Sequence, residues 1–402
     1  MSTPPITAVD TPKTEEDKFQ TGEVLTIVGG HFVNDTYSAF LAPILPLIIN
    51  RLSLSLTLAG SLQAVLQMPA LLNPFIGYLA DKISLRYFVI LAPGITATLM
   101  SLIGAAPSYF ALIVIMFTAG ISIACFHAPA PAMIARISGQ QVGKGMSLFM
   151  AGGELGRTVG PLLATWAITY LALDGFYQIM ILGWVASGLL FWRLHRIAAR
   201  PEPPREIRRI LPTLGRLFLP MLFVVLFRAF LLTPVSVFLP TLMSLNGSSL
   251  WGGAGSLAVW ELAGVAGALF GGTLSDRLGR KTILYIGFIS SILLTLVFLQ
   301  ALQLEGWYFV PVLIIMGLTS LSTQPVLLAI VQDHLPENRA VGNGIFLAIT
   351  FLARPLAILG IGQIGDHFGL EAAFFWGAIV SILAVPAIRT LPNAQPSIGS
   401  AS

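Results

Sequence analysis

Charge is scarce in this sequence. Only 10% of its 402 residues are Asp, Glu, Lys or Arg, less than half the share in an ordinary globular domain. A chain that is also 55% hydrophobic reads as a polytopic membrane protein and not as a large soluble domain. Cysteine occurs once, at Cys125, which excludes an intrachain disulfide and suits a small packing residue in an apolar run. Histidine occurs five times. No spacing of His, Cys and acids supplies a metal cluster or a nucleophile with its base, so no metal, no cofactor and no enzyme activity is expected. The first residues also lack the basic and apolar regions of a cleavable signal peptide. Pro4, Pro5, Pro12 and the run Glu15-Glu16-Asp17 instead suggest a disordered cytoplasmic tail over 1–22.

What the chain does have is long apolar runs. Twelve are expected to cross the bilayer as helices, near 24–49, 57–80, 87–106, 109–135, 145–173 and 176–192, then 217–243, 250–275, 282–302, 307–331, 340–365 and 373–391. An even number puts both termini on one side. Of the 22 Lys and Arg, 18 fall in segments on that side, with Arg51 on the other. The positive-inside rule makes the terminal side cytoplasmic, so the basic excess is a topology signal that touches lipid, with no nucleic-acid partner.

The expected organisation is a six-helix bundle over 23–195, a basic cytoplasmic linker over 196–214, a second bundle over 215–392 and a cytoplasmic tail over 393–402. The halves repeat each other. Gly77-Tyr-Leu79-Ala-Asp81-Lys82 joins spans two and three, and Gly272-Thr-Leu274-Ser-Asp276-Arg277-Leu-Gly279-Arg280-Lys281 joins spans eight and nine, 195 residues on. Gly143-Lys144-Gly145 and Gly342-Asn343-Gly344 open spans five and eleven, 199 residues apart. Two fused repeats are the layout of transporters that rock one half against the other, and a chain carrying both halves is expected to work as a monomer.

Six charges remain at membrane depth: Asp35, Glu154 and Glu261, against Arg157, Arg228 and Arg354. Each is costly there unless paired or wetted. His31, Asn34 and Asp35 share one face of the first helix, as a buried packing cluster or as a cavity wall able to gain and lose a proton. Glu154 and Arg157 are three apart and can pair along span five, or Arg157 can bridge to Glu261 in the other half. Arg228 corresponds to Asp35 between the repeats, so the two are expected to face each other across a central cavity. Asp35, with His31 as relay and Glu154 and Glu261 as alternatives, is the expected proton-coupling set. Arg228 and Arg354, with Asn34, His127, Arg157 and Gln324, are the expected cargo-binding set. Asp81, Lys82, Arg86, Asp276, Arg277 and Arg280 are expected to act as a gate, pairing with helix ends of the opposite half in one conformation.

The segment from Gly272 to Leu284 resembles the loop motif of the major facilitator superfamily. Ser84 and Leu85 depart from it in the first copy. Gly156-Arg157-Thr158-Val159-Gly160-Pro161 is similar to the superfamily's antiporter signature, without its trailing glycines, since Ala164 and Thr165 stand there; its small residues admit a close helix and its proline a kink. More closely, the chain resembles the fosmidomycin resistance protein family. His31-Phe-Val-Asn34-Asp35, Cys125-Phe126-His127, Ala135-Arg136, Gly152-Gly153, Gln332-Asp333-His334-Leu335-Pro336 and Gly365-Asp366-His367 carry that likeness. The family's His-Pro-Glu on span four reads His127-Ala128-Pro129 here. The resemblance implies the major facilitator fold, all-α with two pseudo-symmetric bundles, in a bacterial inner membrane. It also implies proton-driven efflux of a small drug or metabolite, with a small phosphonate as one cargo. Uptake of a small organic anion by symport stays open within the transporter class. A passive channel or an intramembrane enzyme is the alternative class.

Overall fold

A backbone in hydrocarbon must satisfy its own hydrogen bonds, and a helix does so within one segment. The computed structural model describes residues 19–73, 75–76, 86–195, 211–304, 306–335 and 339–392, and among these it contains helices and no strand. Residues 1–18 of the expected tail, the first-copy loop with Asp81 and Lys82, the linker over 196–210 and the tail over 393–402 lie outside the described residues.

The first half holds α1 (Thr21–Leu52), α2 (Leu56–Leu72), α3 (Arg86–Ala105), α4 (Tyr109–Ile137), α5 (Val142–Gly175) and α6 (Met180–Leu194). The second holds α7 (Gly215–Leu245), α8 (Leu250–Leu278), α9 (Arg280–Leu302), α10 (Phe309–His334), α11 (Arg339–Phe368) and α12 (Leu370–Thr390). The helical backbone leading into α7 already starts at Leu211, inside the expected linker, and α1 begins at Thr21, inside the expected tail. The apolar stretch Val142–Leu194 runs for 53 residues, about 80 Å if straight, far beyond a hydrocarbon core of about 30 Å. The backbone breaks at Ala172 (φ 55°, ψ 177°) and a 3-10 turn at Phe176–Ile179 leads into α6. The chain passes Pro161 with helical angles, so the expected proline kink is replaced by this later break.

Two helices are interrupted at matching places. In α1 the ladder stops after Ser38 and resumes at Leu41. Pro43 has no N–H for the carbonyl of Ala39 and its ring crowds that carbonyl. In α7 a π turn spans Pro234–Phe238, where Pro240 withholds a donor from Ser236 in the same way. Asp35 and Arg228 each lie just before the break of their helix.

Three apolar cores organise the bundle. One mixes both halves, with Phe40, Ile44 and Leu62 beside Phe238, Trp260, Ile358 and Phe374. The other two each belong to one half, around Phe126 and Phe149 in the first and around Phe288 and Phe346 in the second. The shared core lies at the end of the molecule opposite the termini, and the separate cores lie at the terminal end. Among the described residues, the apolar cores therefore join the halves at one end and stay within each half at the other. Asp366 at the end of α11 reinforces the seal, accepting from Leu56 N at 2.5 Å and Thr57 N at 3.0 Å on α2 of the other half. Trp251 on α8 donates to Thr169 on α5 at 3.1 Å across the same end.

Candidate functional site

Small residues on α5 bring it against the polar face of α1. A Cβ on Gly156 would sit 2.4 Å from Phe32 O, and one on Gly153 would sit 2.6 Å from His31 Nε2. Only glycine permits that approach. It buries Asp35 (3% exposed) and Asn34 (0%), so both need partners from neighbouring helices.

Asp35 finds three. Its Oδ1 lies 3.2 Å from His127 Nε2 on α4, and its Oδ2 lies 3.4 Å from His31 Nε2 and 3.7 Å from Arg157 Nη1 on α5. Asn34 Nδ2 donates to Asp35 Oδ1 at 3.3 Å, while Asn34 Oδ1 is buried without a hydrogen-bond partner. The two imidazoles are each held from behind. His31 Nδ1 donates to Phe149 O at 2.7 Å, and His127 Nδ1 donates to Ile123 O at 2.9 Å. A carbonyl only accepts, so both Nδ1 atoms carry hydrogen. The Nε2 atoms then face each other at 3.2 Å. Phe149 stacks on His31 with centroids 3.9 Å apart, which fixes the ring plane.

Arg157 joins this cluster to the gap between the halves. It pairs with Glu154 one turn away on α5, and its side chain is 41% exposed. Across the gap, Glu261 on α8 is half-buried and feels the charges of Arg157, Glu154 and Arg354. The intrahelical pair is thus the direct one, and Glu261 acts on Arg157 only through the field.

Arg228 does not pair with Asp35. It is 8% exposed, and its Nε donates to Thr323 Oγ1 on α10 at 2.7 Å, within its own half. The reason is packing: α1 turns its polar face to α4 and α5, not across the gap. Arg354 reaches Ser236 Oγ at 3.4 Å, in the π turn of α7. Neither arginine forms an ion pair among the described residues, and the two feel each other's charge. Gln324 adjoins Thr323 and is half-buried. Asn34, expected to touch cargo, is instead sealed behind Asp35. A recess of about 420 Å³ between α1 and α6, lined by Leu25, Val33, Leu189, Trp192 and Arg193, includes none of these charged groups.

The second-copy loop motif closes on its own half. Arg280 bonds Asp276 at 2.5 Å, Asp333 at 3.1 Å and Ser275 Oγ at 2.6 Å. Gly279 takes the positive φ of 92° that ends α8 and starts α9, a conformation few residues other than glycine adopt. Arg277 is exposed, and Arg86 opens α3 with its guanidinium 5.2 Å from the Tyr87 ring centroid. The expected engagement of opposite-half helix ends by Asp276 and Arg280 is absent among the described residues, where Arg280 holds Asp276 and Asp333 of its own half.

Sequence reasoning set His127 among cargo contacts and saw no metal-type cluster. The structure brings His31, Asp35 and His127 within one ligand-sized space, because His127 arrives from a helix 96 residues away, a distance that no spacing rule covers. Thr323 and Ser236 were missed as partners of the arginines, and nothing local in the sequence marks them. Asp366 carried a resemblance but no role.

Comparison with known proteins follows the same lines. The sequence pattern of the Major Facilitator Superfamily matches residues 27–358. The fosmidomycin resistance protein of Escherichia coli (strain K12) is 26% identical over 369 residues, covering 88% of this chain and 89% of that one. The MFS-type transporter YfnC of Bacillus subtilis (strain 168) is 23% identical, covering 92% and 93%. Among solved structures, a bacterial homolog of the human lysosomal transporter Spinster, inward-facing and unoccupied, superposes with a TM-score of 0.76 at 15% identity, over 93% of this chain and 98% of that one. The D-xylose-proton symporter gives 0.75 at 14% identity, over 94% and 99%. With two helical halves, a shared core at one end and charges facing the gap between them, this chain belongs to the Major Facilitator Superfamily of membrane transporters.

Proposed function

We propose that this transporter is a proton-coupled exporter of a small organic anion in a bacterial inner membrane, with its terminal end in the cytoplasm. The observation that carries the reading is the division of charge across the gap. Asp35 and Glu154 are ion-paired within the first half, while on the second half Arg228 forms no ion pair among the described residues and Arg354 has Glu261 only through the field. A buried arginine without an acid is a receptor for an oxyanion, since its planar fork matches a phosphonate or carboxylate. The relative in Escherichia coli, by its printed name, confers resistance to fosmidomycin, which supports outward movement of a drug-like cargo. The expected loop charge, with 18 of 22 cations on the terminal side, supports the orientation.

In this reading cargo enters from the parted terminal end and settles between α7 and α11. Cargo closes the terminal end while Asp35 and Glu154 are ionised, and it is released on the outer side. A proton from that side then reaches Asp35 or Glu154, loosens their hold on Arg157 and crosses inward as the terminal end reopens, so proton and cargo move in opposite directions. The first-half boundary at 195 and second-half boundary at 215 stand as the limits of the two moving bodies.

The test uses purified protein in proteoliposomes. Asp35→Asn is expected to abolish accumulation of a small phosphonate driven by a pH gradient, while cargo-for-cargo exchange continues, because exchange moves no net proton. Gradient-driven transport at the wild-type rate in Asp35→Asn would place coupling elsewhere. Cargo moving with protons, and not against them, would make the protein a symporter.

A further inference from the structure

We propose that His31, His127 and Asp35 form a binding site for a divalent transition-metal ion of the zinc type. The inference stands on side-chain geometry and does not depend on which cargo is carried or in which direction.

The argument begins with hydrogen positions. Both Nδ1 atoms donate to backbone carbonyls, Phe149 O and Ile123 O. In the neutral imidazoles the Nε2 lone pairs are then the free ones, and they point at one another across 3.2 Å. Asp35 adds an oxygen to each, at 3.2 Å from His127 and 3.4 Å from His31. Three electron-pair donors thus converge on one space, an arrangement that repels itself unless a cation sits within it. Arg157 compensates in part, but from 3.7 Å and shared with Glu154.

The spacing suits a metal. Zinc binds imidazole nitrogen at about 2.0–2.1 Å and carboxylate oxygen at about 2.0–2.2 Å, usually tetrahedrally. Two ligand atoms on such a centre lie about 3.3 Å apart. The two Nε2 atoms are 3.2 Å apart, Asp35 offers Oδ1 at 3.2 Å from His127 and Oδ2 at 3.4 Å from His31, and one ligand atom from each residue fits within 4.8 Å. The surroundings also match. A metal-bound histidine ordinarily donates its other N–H to a carbonyl or carboxylate, which fixes tautomer and ring orientation. Both rings do so here, and Asn34 Nδ2 steadies the carboxylate. Phe126 and Phe149 flank His31, with Phe149 at 3.9 Å between centroids. Gly153 keeps the remaining side clear, since a Cβ there would lie 2.6 Å from His31 Nε2 and 3.1 Å from Asp35 Oδ2. His127 is 33% exposed, so the site is not sealed on its side. Two histidines and one carboxylate leave a fourth position open, as in sites that exchange ligands.

Groups from every helix packed on the cluster are counted: His31, Asn34 and Asp35 on α1, His127 on α4, Glu154 and Arg157 on α5. With neutral imidazoles the charged members sum to −1, which a dication overturns and a single proton neutralises. The two cations compete for the same lone pairs, and metal entry releases any proton held there.

The experiment titrates the full-length protein in detergent with Zn²⁺ alone, against a fluorescent chelator, and records the visible spectrum with Co²⁺. One ion per chain is expected, bound more weakly as the pH falls, with a Co²⁺ spectrum of low-coordinate nitrogen and oxygen ligation. His127→Gln and Asp35→Asn are expected to weaken binding by more than the roughly 10–100-fold cost of losing a supporting partner. His195→Gln and His367→Gln, half-buried and exposed respectively and away from the cluster, are expected to leave it unchanged. Absence of stoichiometric binding and of the Co²⁺ bands in the wild type overturns the proposal without recourse to any variant. So does binding that survives His127→Gln combined with Asp35→Asn. Neither readout involves cargo or a gradient, so failure of the export reading leaves this result intact.

Discussion

Arg228 is held by a single neutral contact, Nε to Thr323 Oγ1 at 2.7 Å. A guanidinium that is nine-tenths buried without an acid is expensive to keep, and an anionic cargo supplies the missing partner. Among the described residues, Arg354 has one hydrogen bond, to Ser236 Oγ, and feels the charge of Glu261. Arg228→Lys and Arg354→Lys keep the charge and lose the fork. Each is expected to weaken binding of an anionic analogue by about 1.5–3 kcal/mol, the worth of a charge-assisted contact, or roughly ten- to a hundredfold. A neutral analogue of the same shape should bind the variants almost as it binds the wild type. Isothermal titration of the two analogues decides it, and equal loss for both would make these arginines structural.

Helix ends carry the next level. The N-terminus of α2 presents backbone N–H groups without intrahelical partners, and Ser55 Oγ serves one of them, Leu58 N at 3.2 Å. Asp366 serves Leu56 and Thr57 from the opposite half. Its carboxylate also complements the positive end of the helix dipole. Because donor and acceptor ride on different bundles, this contact exists only while that end is shut. Asp366→Ala removes it at a cost of about 1 kcal/mol, the usual worth of a cap, which amounts to a few-fold shift toward the state open at that end. Spin labels on α2 and α11 are expected to report a larger population of long distances in Asp366→Ala than in wild type. An unchanged distribution would mean that the shared apolar core alone holds the seal.

At the scale of the whole molecule, the cores set the available motion. One core is common to both halves and two are private. Interfaces of packed side chains repack between discrete states and do not stretch. Closing the terminal end must therefore trade the shared core for new contacts between the private ones. The loop motif at Asp276 and Arg280, now satisfied within its half, would have to change partners in that state. The orientation is tested separately. In a Cys125→Ser background, a cysteine placed within residues 200–210 is expected to react with an impermeant maleimide only after the cells are opened. Labelling of intact cells would invert the topology and, with it, the direction of access.

Element existence was legible in the sequence because hydropathy alone fixes where a helix must span. The twelve runs, the repeat at 195–199 residues and the scarcity of charge required no contact information. The Glu154–Arg157 pair was legible too, since a three-residue spacing fixes proximity on a helix. Partnerships between helices were not. Asp35 was expected opposite Arg228 by pseudo-symmetry, yet symmetry relates positions and not the faces that helices present. The glycines at 153 and 156 pull α5 onto α1 and commit Asp35 to His31, His127 and Arg157. Composition and hydropathy thus determined that this chain is a polytopic membrane protein with a handful of buried charges, and the internal repeat and the family resemblance pointed to a transporter of two related halves. Which charges meet, and which end is open, depended on close packing between residues far apart in sequence, and only the tertiary structure decided it.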